Sequence, residues 1–202
     1  MALRDRLARL YAGRGATVPA EPEPTSQAAH EVAAWSIDER IAPFVRVSEV
    51  DDGEFFVGAL FRRKFGDAPP RFGHHIVAFY RRDESTFLAA SYCHFWSQGA
   101  IGLLGGGCTD GRVLRAMRPH ELELVNQAGG LLLQTLGYSF ARFAGRVDAF
   151  FGHCGDARAK EVDLAAGFSE SGVPNLLVRY NRPLAPARQH DLRAQAHAIG
   201  PF

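Results

Sequence analysis

Three strand-like runs follow one another with almost no chain between them, and that spacing limits the fold more than any other feature. His75 to Tyr80 and Thr86 to Trp96 read as strands joined across Arg82-Asp83-Glu84-Ser85. Gly99 then marks a turn, and Ala100 to Leu104 forms a third strand running into Gly105-Gly106-Gly107. Connections this short join antiparallel neighbours, because a parallel return needs a crossover of a dozen residues or more. An antiparallel meander therefore sits in the middle of the chain, and the remaining elements must extend that sheet or cover its faces.

The flanking segments supply both. Phe44-Val-Arg-Val-Ser-Glu-Val50 alternates apolar and polar residues, as a half-buried strand does. Asp51-Asp52 offers an N-cap with Glu54 in the first turn, and Phe55, Phe56, Ala59, Leu60 and Phe65 follow at helical spacing. Gly66 and Pro69-Pro70 stop that helix. Pro119 to Val125 starts a second helical pattern, and Leu131 to Phe143 continues it with Leu132, Leu136 and Phe140 spaced by four. Gly129-Gly130 lies between the two parts. Paired glycines inside a helix cost about 1 kcal/mol each relative to alanine, so a break is expected there. Val147 to Phe151 reads as a short strand, Ala157 to Ala166 as a helix closed by Gly167, and Leu176 to Tyr180 as a last strand. The tail after Pro183 gives no reading. The order β-α-β-β-β-α-β-α-β predicts an α/β (α+β) fold: one mixed, mostly antiparallel twisted sheet with helices on both faces.

The chain has 202 residues, which suits one domain, placed at residues 30–202. Ahead of it, Leu3, Leu7 and Leu10 predict a short amphipathic helix, and Pro19 to Ser26 reads as a proline-rich linker. Residues 1–29 are thus an arm that packs on the domain, pairs subunits as a homodimer, or stays loose. With 23 basic and 22 acidic residues the net charge is +1, which argues against a nucleic-acid partner. No apolar run approaches the ~18 residues of a membrane span, and Arg4, Arg6 and Arg9 interrupt any signal-peptide core. A cytoplasmic location is the default expectation. Cys93, Cys108 and Cys154 make neither a disulfide framework nor a zinc-spaced cluster, so no metal site is expected.

Two stretches carry a resemblance over roughly residues 41–182. One is Val125-Asn-Gln-Ala-Gly-Gly-Leu-Leu-Leu133, a polar and glycine-containing turn opening an apolar helix. The other runs from Val147 through His153-Cys154 and Asp163 to Gly167-Phe168. With the element order, they are similar to the GNAT superfamily, the acyl-CoA-dependent N-acyltransferases. The resemblance implies direct transfer of an acetyl or longer acyl group from acyl-CoA to a small-molecule or peptide amine. It implies that Gln127, Gly129, Gly130 and Leu131 hold the cofactor diphosphate at a helix N-terminus, where unpaired amides and the helix dipole favour an anion. It implies that the strands Ala100–Cys108 and Val147–Cys154 splay around the thioester, with backbone amides of Gly106, Gly107 or Cys108 polarising the carbonyl. Leu132 stands where the family has a small residue, and Asp163 where it often has a proton-donating tyrosine.

His153 is the candidate base, by its unperturbed pKa near 6.5. Cys154 is a candidate proton donor or nucleophile, and Asp163 a candidate acid if burial raises its pKa. Three readings remain open: an acyltransferase, a non-catalytic module of the same fold, and a cysteine-dependent hydrolase or transferase using Cys154 or Cys108. Cys93-His94 must face opposite ways on its strand and is expected to be structural. His74-His75 either lines the acceptor groove or forms a solvated loop edge. Thr109-Asp110 either binds the acceptor or makes a turn. Most of the dense aromatic set from Phe55 to Trp96 is expected in the core.

Overall fold

The central meander forms as the short connections require, in a computed structural model that describes residues 35–202. The expected leading helix and linker lie outside the described residues. The strands are β1 (Val45–Val50), β2 (His74–Arg81), β3 (Phe87–Gln98), β4 (Ile101–Thr109), β5 (Ala149–His153), β6 (Ser169–Glu170) and β7 (Leu176–Tyr180). They make a seven-stranded sheet in the order β1-β2-β3-β4-β5-β7-β6. Every pairing is antiparallel except β4 with β5. The helices are α1 (Gly53–Phe65), α2 (Gly111–Ala116), α3 (Pro119–Gln127), α4 (Leu131–Phe143), α5 (Ala157–Ala165) and α6 (Pro186–Ile199). This mixed, mostly antiparallel α/β architecture is consistent with a GNAT-like fold.

Local signals explain the boundaries. The Asp52 carboxylate accepts from the Phe55 amide at 2.8 Å and caps α1, and Gly66 closes it at φ 75°, a left-handed conformation that favours glycine. The predicted break between α3 and α4 is real. Gly129 and Gly130 sit at φ 81° and 87°, and their amides bond back to Asn126 and Val125 carbonyls at 3.0 and 2.9 Å. These bonds satisfy the end of α3 and leave Leu131 to start a new helix.

The two sheet faces are covered by different helices. On one, Leu136, Phe140 and Phe143 of α4 pack on Ile76, Cys93, Phe95, Leu104 and Phe150. Phe95 stacks on Phe143 with centroids 4.1 Å apart. On the other, Val57, Leu60 and Phe61 of α1 pack on Val77, Tyr92 and Cys108, while Leu192 and Ala196 of α6 pack on Leu103, Phe151 and Val178. Each fully buried Phe or Leu contributes roughly 1.5–3 kcal/mol, so these contacts fix where the helices lie on the sheet.

Several elements depart from expectation. β4 does not stop at Leu104 but runs through the glycines to Thr109. α2 fills a segment for which the sequence predicted no element, β6 is a two-residue edge, and the uninterpreted tail holds α6. The aromatic set is mostly core, but Phe55 is 78% exposed and Phe87 51%.

The glycines of β4 have separate jobs. Between β3 and β4 the register passes from His94↔Gly105 to Tyr92↔Cys108, so three steps on β4 match two on β3. This is a β-bulge, with Gly106 at φ 61°. A Cβ at Gly106 would also lie 2.7 Å from the Phe61 ring, whereas one at Gly130 would meet nothing. Gly106→Ala should therefore cost about 2–3 kcal/mol and Gly130→Ala about 1 kcal/mol. Equal losses in urea unfolding of the two variants would contradict the packing role given to the bulge.

Candidate functional site

The cleft begins where β4 and β5 stop pairing. Their register runs from Ile101↔Ala149 to Leu104↔Gly152 and goes no further, although β4 continues to Thr109. At that level β5 turns to β7, with the Cys154 amide donating to the Asn175 carbonyl at 2.8 Å. Gly106 and Gly107 consequently have no register partner on either neighbouring strand. A cavity of about 580 Å³ opens there, bounded by the β4 glycines, the α3–α4 turn, the end of β5, the start of α5, and side chains of α1 and β3. That volume lies in the range of small-molecule sites.

The α4 end of the cavity has the character of an anion site. No side chain caps α4, and its first amides, from Leu131 to Leu133, have no carbonyl a turn earlier within the helix. Leu131, Leu132, Gly129, Gly130 and Asn126 line the cavity, and Lys64 and Arg158 add positive charge to its wall. Gln127 does not line it. Its side chain donates to Glu123 at 3.0 Å on the exposed face of α3. The Gly129 and Gly130 amides are likewise engaged in closing α3, so donors here come from the residues after the glycines. The Leu131 side chain is core, 1% exposed, and only its backbone faces this role. Leu132 leans over the glycines of β4: a Cβ at Gly107 would lie 3.3 Å from its Cδ1.

His153, Cys154 and Asp163 come together at the other wall. All three line a small inner recess of about 70 Å³ beneath the larger cavity, with Leu104, the β4 glycines, Gly152 and Phe168. β5 positions the first two, and α5, started by the Asp156 N-cap on Ala159 at 3.0 Å, positions Asp163. Burial pushes the Asp163 carboxyl up to about 6, and a hydrogen bond with Cys154 only partly offsets it. A half-buried carboxyl without a cation beside it holds its proton far better than a solvated one.

The thiols are the opposite of activated. Cys108 is 3% exposed, and burial pushes it up to about 12. Burial also raises Cys154, whose Sγ donates to the Asp156 carbonyl at 3.2 Å, and pushes Cys93 up to about 11. A cysteine nucleophile needs a stabilised thiolate, and none of these environments supplies one.

His74, His75 and His94 resolve into structure. Cys93 and His94 do face opposite ways: Cys93 meets Ser139 at 3.3 Å, and His94 Nε2 meets the Phe72 carbonyl at 2.6 Å. His74 and His75 do not form a solvated loop edge. Both belong to β2, where His74 pairs with Glu49 at 2.5 Å and His75 with the Tyr92 hydroxyl at 2.9 Å. Asp110 caps α2 through the Arg112 amide at 2.9 Å and pairs with Arg63, while Thr109 bonds Ser91, so this dipeptide is structural. Among the described residues no cluster of His, Cys, Asp and Glu could hold a metal, and no helix is long and apolar enough to cross a membrane. Phe202 was not foreseen. It follows α6 and lies against β4, where a Cβ at Gly105 would fall 2.9 Å from its backbone.

Asp163 links the site to stability. Its folded pKa lies above the unfolded 3.8, so the native state binds the extra proton, and stability is lost as pH rises between about 4 and 6. Asp163→Asn should raise stability at pH 7.5 by about 1 kcal/mol, after discounting for solvent screening, and change nothing near pH 3.5. Thermal melts of both proteins across that range check the sign.

No known family profile matches the chain, and no curated protein does. Four chains among solved structures match. One is a crystal structure from Exiguobacterium sp. 255-15 with a provisional acetyltransferase assignment. It shares 12% identity at a TM-score of 0.35, over 75% of this chain and 97% of that one.

Proposed function

We propose that this protein is an acyltransferase that moves an acetyl or longer acyl group from acyl-CoA directly to an amine. The observation that carries the reading is the parting of β4 and β5 beyond Leu104 and Gly152, beside a glycine bulge and an uncapped helix start that share one cavity. An acyl-CoA needs three things of such a site: donors for its diphosphate, a narrow slot for its pantetheine arm, and dipoles at its thioester. The residues present fit. The amides from Leu131 to Leu133, with Lys64 and Arg158, suit the diphosphate. The gap between the strands suits an extended arm.

The reaction then follows from the residues along the slot. Amides of Gly106 and Gly107, residues with no register partner on β3 or β5, stabilise charge on the thioester oxygen. The amine nitrogen attacks the carbonyl carbon as the carbon–sulfur bond breaks. The leaving thiolate takes a proton from Asp163, whose raised pKa keeps a useful fraction protonated near pH 6. His153, at the end of β5 on the same cavity, accepts the proton that the amine gives up. No covalent enzyme intermediate is needed, and the raised thiol pKa values are consistent with that.

Isothermal titration with acetyl-CoA and longer acyl-CoAs tests the binding step. Saturable binding is expected, weakened at least tenfold in Leu132→Trp, which fills the slot over Gly107. No heat with any acyl-CoA would sink the proposal. Binding without turnover across a broad amine panel would favour a non-catalytic module instead.

For the acid, Asp163→Asn should lower kcat by about 100-fold and remove the fall in rate above pH ~6 that ionisation of Asp163 produces. An unchanged pH profile in that variant would assign the proton to another group.

A further inference from the structure

The cavity extends past the bulge, toward α1 and β3, into a recess that shares only Lys64, at its edge, with the contacts assigned to the cofactor. Its walls are Phe61 and Phe65 of α1, Phe72 of the following loop, and His94 and Trp96 of β3. The rings meet edge to face: Phe72 lies 5.8 Å from Trp96 and 5.1 Å from His94. The charged side chain of this wall is Lys64. The one acidic side chain on the cavity, Asp156, caps α5 and lies within electrostatic reach of Lys64 and Arg158. His94 is 3% exposed, and its Nε2 donates to the Phe72 carbonyl at 2.6 Å; burial lowers its pKa to about 4 and keeps the ring neutral. The chain also seats an aromatic residue of its own at the mouth of the recess, for Phe202 borders the cavity with its ring 6.1 Å from His153.

These walls select by chemistry. A polyamine or a basic peptide would bring several positive charges to a cavity whose one acidic side chain, Asp156, is already matched by Lys64 and Arg158, which costs affinity. A small polar amine would leave the rings in contact with water. An aromatic body buries its faces against Phe72 and Trp96 in the edge-to-face geometry that these rings already adopt. We propose that the recess binds the acceptor and selects a primary amine carried on an aromatic body, with the amine directed at the thioester slot beside Gly106. This assignment rests on the transferase reading for its placement in the reaction, but its selectivity is measurable without turnover.

The test is titration of the full chain with 2-phenylethylamine, n-butylamine and spermidine, alone and with saturating coenzyme A, followed by calorimetry and tryptophan fluorescence. 2-Phenylethylamine should bind at least tenfold more tightly than either competitor. Phe72→Leu and Trp96→Leu should each weaken it about five- to tenfold while leaving coenzyme A binding unchanged. Their melting curves guard against simple unfolding. Spermidine binding as tightly as the aromatic amine would overturn the proposal, as would millimolar 2-phenylethylamine without effect, or affinity indifferent to both substitutions. Aromatic selectivity without any coenzyme A binding would instead remove the transferase reading and leave the recess assigned. Coenzyme A binding with a preference for spermidine would do the reverse.

Discussion

The divergence of β4 from β5 is the constraint on which the site depends. Parallel strands normally stay paired, because each lost ladder bond exposes backbone donors and acceptors. Here pairing ends after four registered positions. Two features make that tolerable. The bulge at Gly106 bends β4 and keeps it bonded to β3, so one edge of the strand is still satisfied. On the other side β5 continues to pair with β7 through His153. The cleft is thus held open by two strands that each keep a partner, and the aromatic packing of Phe95, Phe140 and Phe150 beneath it supplies the rigidity.

Burial without compensating charge gives the cleft its chemistry. Asp163 is shifted because it leaves water, not because a neighbour repels it. The same desolvation silences the three thiols and keeps His94 neutral. Ion pairs that would reverse these shifts lie elsewhere: Arg63 with Asp110, and Arg182 and Arg188 with Asp148. Positive charge reaches the cavity only at its wall, through Lys64 and Arg158, beside an unsatisfied helix start. An interior that favours neutral forms and an entrance that favours an anion together describe a slot for a ligand with a charged head and an uncharged reactive end.

Much of the local structure was legible because its signals are short-range. The Asp52 cap, the Gly66 stop and the Gly129-Gly130 break all act within one turn of helix, and each appears where the residues predicted it. The misses have the opposite character. Read from its own residues β4 ended at Leu104, because a run of glycines has little strand propensity; the family resemblance carried it to Cys108, and pairing with β3 carries it to Thr109. α6 was unread because only Leu192 and Ala196 of its residues are buried, too few to show a periodic stripe. Of the candidate site, the β4 glycines, His153, Cys154 and Asp163 were named from sequence and converge on one cleft. Gln127 was named and faces away, since the glycine turn rotates α3 relative to α4.

Residue order alone settled most of the helix and strand segments, several of their ends, and that the centre of the chain is an antiparallel meander. Those outcomes depend on backbone sterics, capping and hydrophobic period, all of which act between neighbours in the chain. Tertiary structure alone decided that β4 and β5 part after Leu104, that Asp163 holds its proton into the range near pH 6, and that aromatic rings from α1, its following loop and β3 wall one recess. Desolvation and shape are properties of surroundings, and the surroundings of this cleft come from segments as far apart in the chain as Phe61 and Phe202.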